Sequence, residues 1–227
     1  MKLKVLGSSS SGNCYILESD TEALIIEAGL PFMEVKKALN FNVRKIVGVV
    51  VSHSHGDHSK YVTEYKKAGI NIFQLFETEG SNQLRKFGNY IIKAFPLVHD
   101  VPCHGFYVFH DNIGTLVYAT DTEYIKYRFK NINHILVEAN HSIYLVDREL
   151  PQYEHILRGH MSLQTALDFI STNDNPALRN VVLIHLSASN SDADLFLQKI
   201  KETVKYGANC YIAEKGLEVD LNLCPFA

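Results

Sequence analysis

The segment His53-Ser54-His55-Gly56-Asp57-His58, set directly behind the apolar run Ile46–Val51, constrains this chain more than any other feature. Residues two apart in extended backbone project to the same side, so His53 and His55 can reach one cation together. A bend through Gly56, a residue that tolerates positive φ, is expected to turn Asp57 and His58 toward a second position. Imidazole and carboxylate donors suit zinc first, with manganese or iron as alternatives. The plainer reading, a polar loop that opens a helix, leaves three histidines and an aspartate at this spacing to chance.

The 227 residues are enough for one domain spanning 1–227 with a sizeable core. A formal net charge of −3 lacks the basic excess expected of a protein that holds long nucleic acid, although it leaves room for a local basic patch. Met1-Lys2-Leu3-Lys4 runs straight into a strand pattern, so neither a leader nor a membrane span is expected. Cys14, Cys103, Cys210 and Cys224 are scattered and form no CxxC pair, which fits free thiols and a cytoplasmic location. Cys103 lies close in sequence to His99 and is a candidate supporting group.

Hydrophobic periodicity predicts strands over 2–6, 14–18, 23–27, 45–52 and 72–75, with helices over 32–39, opened by Pro31, and 60–68. A helix is expected over 79–87, ended by Gly88. Strands follow over 90–97, 105–110, 116–120, 135–138 and 181–185. The stretch from 142 to 172 looks largely helical, with breaks near Pro151 and Gly159. A helix over 193–204 and strands over 210–213 and 217–221 close the chain. Two rounds of strands, each followed by helices, predict two sheets packed face to face with helices outside: an α/β, four-layer αββα sandwich.

The HxHxDH spacing behind an apolar strand resembles the metallo-β-lactamase superfamily, and the later motifs follow in order. His99 precedes the Gly105-Phe106-Tyr107 strand, Asp121 stands in Ala119-Thr120-Asp121-Thr122, and His185 ends Val181–Ile184. The resemblance implies one ion held by His53, His55 and His99, a second held by Asp57, His58 and His185, and Asp121 bridging them. It implies two divalent cations, zinc first and manganese next. Glu27 stands where many relatives carry aspartate, and is expected to accept a hydrogen bond behind a ligand.

Four features narrow the branch. Asp121 in place of a cysteine argues against β-lactam hydrolysis. Val137-Glu138-Ala139-Asn140-His141, Gly159-His160-Met161-Ser162 and the loop Gly7–Cys14 resemble segments of YycJ/WalJ-type exonucleases and, less closely, of tRNase Z-like endonucleases. The resemblance implies phosphodiester hydrolysis. Asp57 would accept a proton, His160 would bind phosphate or protonate the leaving oxygen, and His141, His160 and Ser187 would contact substrate. His141 alternatively orients a ligand, and the Gly/Ser loop is equally a hairpin turn. Only 21 residues separate His99 from Asp121, too few for the long arm of the tRNA-processing relatives. That compactness also resembles the anti-Pycsar phage phosphodiesterases. It implies a small cyclic nucleotide such as cyclic CMP or UMP ahead of long nucleic acid, with Tyr144 or Tyr153 capping the pocket and a homodimer as the assembly.

Overall fold

In the computed structural model, residues 1–75, 83–149 and 153–224 are described, apart from the side chain of residue 155. The first half forms β1 (Lys2–Gly7), β2 (Cys14–Glu18), β3 (Ala23–Ile26), α1 (Phe32–Ala38), β4 (Ile46–Val51), α2 (Gly56–Ser59), α3 (Val62–Lys67) and β5 (Ile72–Gln74). The second half forms β6 (Leu84–Phe87), β7 (Tyr90–Leu97), β8 (Cys103–His110), β9 (Gly114–Ala119), β10 (His134–Glu138), α4 (Tyr153–Gly159) and α5 (Leu163–Asn173). It ends with β11 (Asn180–Ile184), α6 (Ala193–Thr203), β12 (Asn209–Ile212) and β13 (Glu218–Asp220).

Two sheets result, in the orders β13-β1-β2-β3-β4-β5 and β12-β11-β10-β9-β8-β7-β6. Side-chain alternation explains why they stack. Leu24 and Ile26 of β3 face Tyr118, Leu136, Val182 and Ile184 in the core between the sheets. Their neighbours Ala23 and Ile25 turn outward onto Phe32, Val35 and Tyr65 of α1 and α3. In the second sheet Val181 and Leu183 turn outward onto Phe169, Ile170, Phe196 and Ile200 of α5 and α6. Strands apolar on both faces are the signature of a sheet covered on both sides, and each fully buried Val, Leu or Ile contributes about 1.5–3 kcal/mol. The expected αββα sandwich is therefore observed. Ser162 and Asp192 start α5 and α6 by accepting the backbone N–H of Thr165 and Leu195.

Three expectations change. The helix expected over 79–87 is not one where it is described. Residues 76–82 lie outside the described residues, and Leu84–Phe87 is a strand that pairs antiparallel with Tyr90–Lys93. Gly88-Asn89 is the hairpin turn, so Gly88 ends a strand where a helix cap was expected. The helix expected over 60–68 is α3, shortened to Val62–Lys67, and a separate short helix, α2, precedes it inside the histidine segment. Residues 142–149 form turns before α4, because Ser142 and Leu145 bond within a loop tied to Asn190.

Strand direction places the site. β3, β4 and β5 are parallel, as are β9, β10, β11 and β12. β7 is antiparallel to β8, which is antiparallel to β9, so β7 runs with β9. The carboxyl ends of β4, β7, β9, β10 and β11 consequently deliver His53, His99, Asp121, Glu138 and His185 to one rim. No helix among the described residues is long and apolar enough to cross a membrane.

Candidate metal centre

Three residues at that rim hold left-handed backbone although none is glycine: Glu27 (φ 68°), Asp121 (φ 49°) and His185 (φ 55°). Glu27 and His185 directly follow β3 and β11, and Asp121 stands two residues beyond β9, so the reversal swings each side chain back over a strand end. Such strain persists only where surroundings over-determine it. The Ser8 hydroxyl accepts the His185 N–H at 2.9 Å, and Glu27 N–H is bound by the Val50 carbonyl at 2.8 Å. Thr120 Oγ1 donates to Asp121 Oδ1 at 2.7 Å, which leaves Oδ2 directed into the site.

The seven expected ligands gather into two groups that share Asp121. His53, His55, His99 and Asp121 form one, and Asp57, His58, Asp121 and His185 the other; within each, one donor atom per residue lies within 4.8 Å of the others. Asp121 Oδ2 is 3.5 Å from His53 Nε2, 3.9 Å from His99 Nε2 and 3.4 Å from His58 Nε2. His99 Nε2 is 3.2 Å from His55 Nδ1, and Asp57 Oδ2 is 3.2 Å from both His58 Nε2 and His185 Nε2. Ligands bonded at about 2.0–2.1 Å in a tetrahedron stand roughly 3.3 Å apart, so these separations fit ligand edges. His53 Nε2 is buried with no hydrogen-bond partner among the described residues, a cost that a cation would remove. The donor set fits two divalent ions.

Hydrogen bonds behind the donors fix which nitrogen faces inward, as ligand imidazoles require. Ser52 Oγ meets His53 Nδ1 at 2.8 Å, whereas the Glu27 carboxylate faces His58 Nδ1 at 3.5 Å as an ion-pair contact and not a hydrogen bond. Glu138 Oε1 is 2.7 Å from His160 Nδ1 and 3.1 Å from His185 Nδ1, so both rings direct Nε2 away from it. Burial, reinforced by His58, pushes His53 down to about 2 and keeps its lone pair available. Burial also opposes charge on His185, yet Asp121 and Asp57 lift it to about 10. The carboxylates therefore demand positive charge at this spot, and cation binding would displace protons.

Comparison with known proteins agrees with this geometry. A model of the metallo-beta-lactamase superfamily matches residues 9–72. The chain is similar to the exodeoxyribonuclease YycJ of Bacillus anthracis, at 23% identity over 96% of this chain and 92% of that one. Among solved structures it resembles the metallo-beta-lactamase fold protein YhfI of Bacillus subtilis, with a TM-score of 0.71 at 17% identity over 96% and 99% of the two chains. It also resembles the short form of human tRNase Z, with a TM-score of 0.64 at 14% identity over 98% and 100%. This chain has the metallo-β-lactamase fold.

On this metallo-β-lactamase scaffold a cavity of about 290 Å³ opens over the donors, lined by Ser10, Asn140, Ile156, Ser187 and Asn190 beside His55, Asp57, Asp121, His160 and His185. His160 and Ser187 thus border the space expected for substrate. His141 is buried and does not line it, and its backbone carbonyl instead accepts from Leu163 at the start of α5. Tyr144 is 90% exposed and Tyr153 half-buried, and neither lines the cavity. Cys103 is buried with Sγ 3.8 Å from the Thr120 carbonyl, beneath the strand that carries Asp121.

Sequence reasoning missed two supports. Glu138 was visible only as part of a motif, and its two histidine partners lie 22 and 47 residues away. Asn13 is buried in the Gly/Ser loop, where Nδ2 lies 3.2 Å from Asp57 Oδ2 and 3.1 Å from His58 Nε2, and its N–H donates to the Asp57 carbonyl at 2.8 Å. That loop is more than a hairpin turn: Ser8 holds one ligand and Asn13 two others.

Glycine roles are also reassigned. Gly56 has no positive φ, and a Cβ there would meet nothing within 4 Å. A Cβ on Gly29 would stand 1.7 Å from the Asp57 carbonyl oxygen. Gly29→Ala is expected to lower cation affinity about 10–100-fold by displacing the Asp57 loop, while Gly56→Ala stays within about 0.5 kcal/mol of the parent in stability. Calorimetric titration with zinc and thermal melts of both variants check this; equal behaviour of the two would refute it.

Proposed function

We propose that this chain is a two-cation phosphodiesterase acting on the free end of a DNA strand. The observation that carries the phosphodiesterase reading is the pair of donor groups sharing Asp121, with His160 set beside them on one cavity. When bound, the two cations would neutralise phosphoryl oxygens and acidify a water. Asp57 borders the cavity and is held ionised: burial opposes this, but His185 and His58 overrule it, so it would accept a hydrogen bond from the attacking water and take its proton only as bound cations acidify that water. Glu138 holds the Nδ1 side of His160 and, against the effect of burial, raises its pKa. His160 would then donate from Nε2 to the leaving oxygen. Asn140, Ser187 and Ser10 would offer hydrogen bonds that orient the phosphate. DNA as the substrate is supported by near full-length similarity to an exodeoxyribonuclease.

A second reading, a cyclic mononucleotide phosphodiesterase, rests on the cavity itself. Its volume of about 290 Å³ suits a small ligand, and among the described residues no lysine or arginine lines it. The two readings separate in one panel. With zinc or manganese supplied, single- and double-stranded DNA should shorten from their ends while cyclic CMP, UMP, AMP and GMP persist. Opening of a cyclic nucleotide with intact DNA would transfer the assignment to the second reading. Survival of every phosphodiester, RNA included, by metal-loaded protein would refute both.

A further inference from the structure

The connection between β9 and β10 leaves the centre at Asp121 and must enter β10 at His134. Because β9 and β10 are parallel neighbours, with Leu116 opposite His134, this segment runs from the metal rim back to the opposite end of the sheet. Its middle, residues 124–129, has no helix or strand assignment, yet its side chains alternate strictly. Ile125, Tyr127 and Phe129 turn inward onto the outer core of the second sheet. Phe129 lies 5.1 Å from the Phe95 ring and 6.2 Å from the Phe169 ring, and its N–H is held by Asn173 Oδ1 at 2.7 Å. Lys126, Arg128 and Lys130 are consequently all turned outward and exposed, with Tyr124 exposed at the end nearest the centre. No acidic group among the described residues pairs with any of the three cations; Lys126 rests only over its neighbour, the Tyr127 ring, at 5.3 Å. Glu123, beside the centre, is the one acidic residue in the stretch.

We propose that Lys126, Arg128 and Lys130 form a backbone track that leads a single nucleic-acid strand to the metal centre. Alternate residues of an extended segment are about 6.6 Å apart, an interval that suits successive phosphates along one strand. Aromatic anchoring on the inner side keeps the three cations in line, so little ordering entropy opposes their joint contact. An exposed ring beside a cationic groove is also how non-specific strands are held, by stacking of a base. In a chain of net charge −3, an unpaired cationic row that starts five residues beyond Asp121 is what a strand substrate needs and a cyclic mononucleotide does not. This inference rests on the DNA-end reading proposed above.

The test compares the zinc-loaded parent with K126Q/R128Q/K130Q, and with K37Q/K66Q/K67Q, an equal charge loss on α1 and α3 of the other layer. Single-stranded oligonucleotide binding is followed by fluorescence anisotropy across salt concentrations, and turnover on the oligonucleotide and on bis(p-nitrophenyl) phosphate by rate. Three lost contacts should reduce the slope of log affinity against log salt by about 2 and weaken binding about tenfold or more. Turnover of the small ester should be unchanged, and the control triple variant should match the parent. If the parent cuts DNA and the track variant binds it equally well at every salt, the track is refuted while the DNA reading stands. If the parent binds the strand through the track without cutting it, the DNA-end reading falls and the track stands. Absence of any strand binding by the parent overturns the track as well.

Discussion

Asp121→Asn is expected to lower turnover by a thousandfold or more, on the order of what loss of central charge stabilisation costs, and to leave no more than one tightly bound cation per chain. Among the described residues, Asp121 is the one carboxylate shared by both donor groups, with Oδ2 3.5 Å from His53 Nε2 on one side and 3.4 Å from His58 Nε2 on the other. Asparagine keeps the shape and the hydrogen bond from Thr120, and it accepts left-handed backbone readily, so the φ of 49° should survive. What is lost is the negative charge between two cations. Elemental analysis after gel filtration, together with phosphodiesterase rates, reads both effects. A variant that still holds two cations and turns over within tenfold of the parent would show that Asp121 does not bridge.

How much of this centre was legible in the sequence depended on the range of the interaction. His53, His55, Asp57 and His58 stand within six residues, and local geometry alone brought them together. His99, Asp121 and His185 were found through resemblance, as the later motifs of the metallo-β-lactamase superfamily in their expected order behind apolar strands; taken alone, either histidine would have read as an ordinary one. The supports were harder. Glu138 looks like the polar end of a strand, and only tertiary packing brings His160 and His185 to its Oε1. Asn13 sits in a Ser/Gly loop whose composition suggests a turn, and its purpose appears only when β2 lies beside the Asp57 loop. The helix expected near 79–87 failed where it is described for a related reason. Leu84-Arg85-Lys86-Phe87 has no decisive local preference, and pairing with β7 across Gly88-Asn89 settles it as a strand. The basic row at 126–130 shows the same limit from the other side: net charge reported no excess, and burial had to reveal which side chains face out.

His160→Ala should separate proton transfer from cation binding. His160 lies within reach of Asp121, Glu138 and His185, so distance alone would admit it as a further ligand. Its Nδ1 is engaged by Glu138 at 2.7 Å, and its ring borders the cavity, an arrangement suited to delivering a proton from Nε2. Loss of a positioned general acid lowers rate by about 10²–10⁴, so the variant should keep both cations while turnover on an alkyl phosphodiester falls by that range. An ester whose leaving group is p-nitrophenolate departs without a proton, and on it the defect should largely vanish. Glu138→Gln provides the contrast. It weakens the hold on His185 as well as His160, so it should lose about 10–100-fold in cation affinity in addition to turnover on both esters. Loss of a cation from His160→Ala would reassign the residue as a ligand, and an equal defect on the two esters with both cations kept would reassign it from proton donor to phosphate binding.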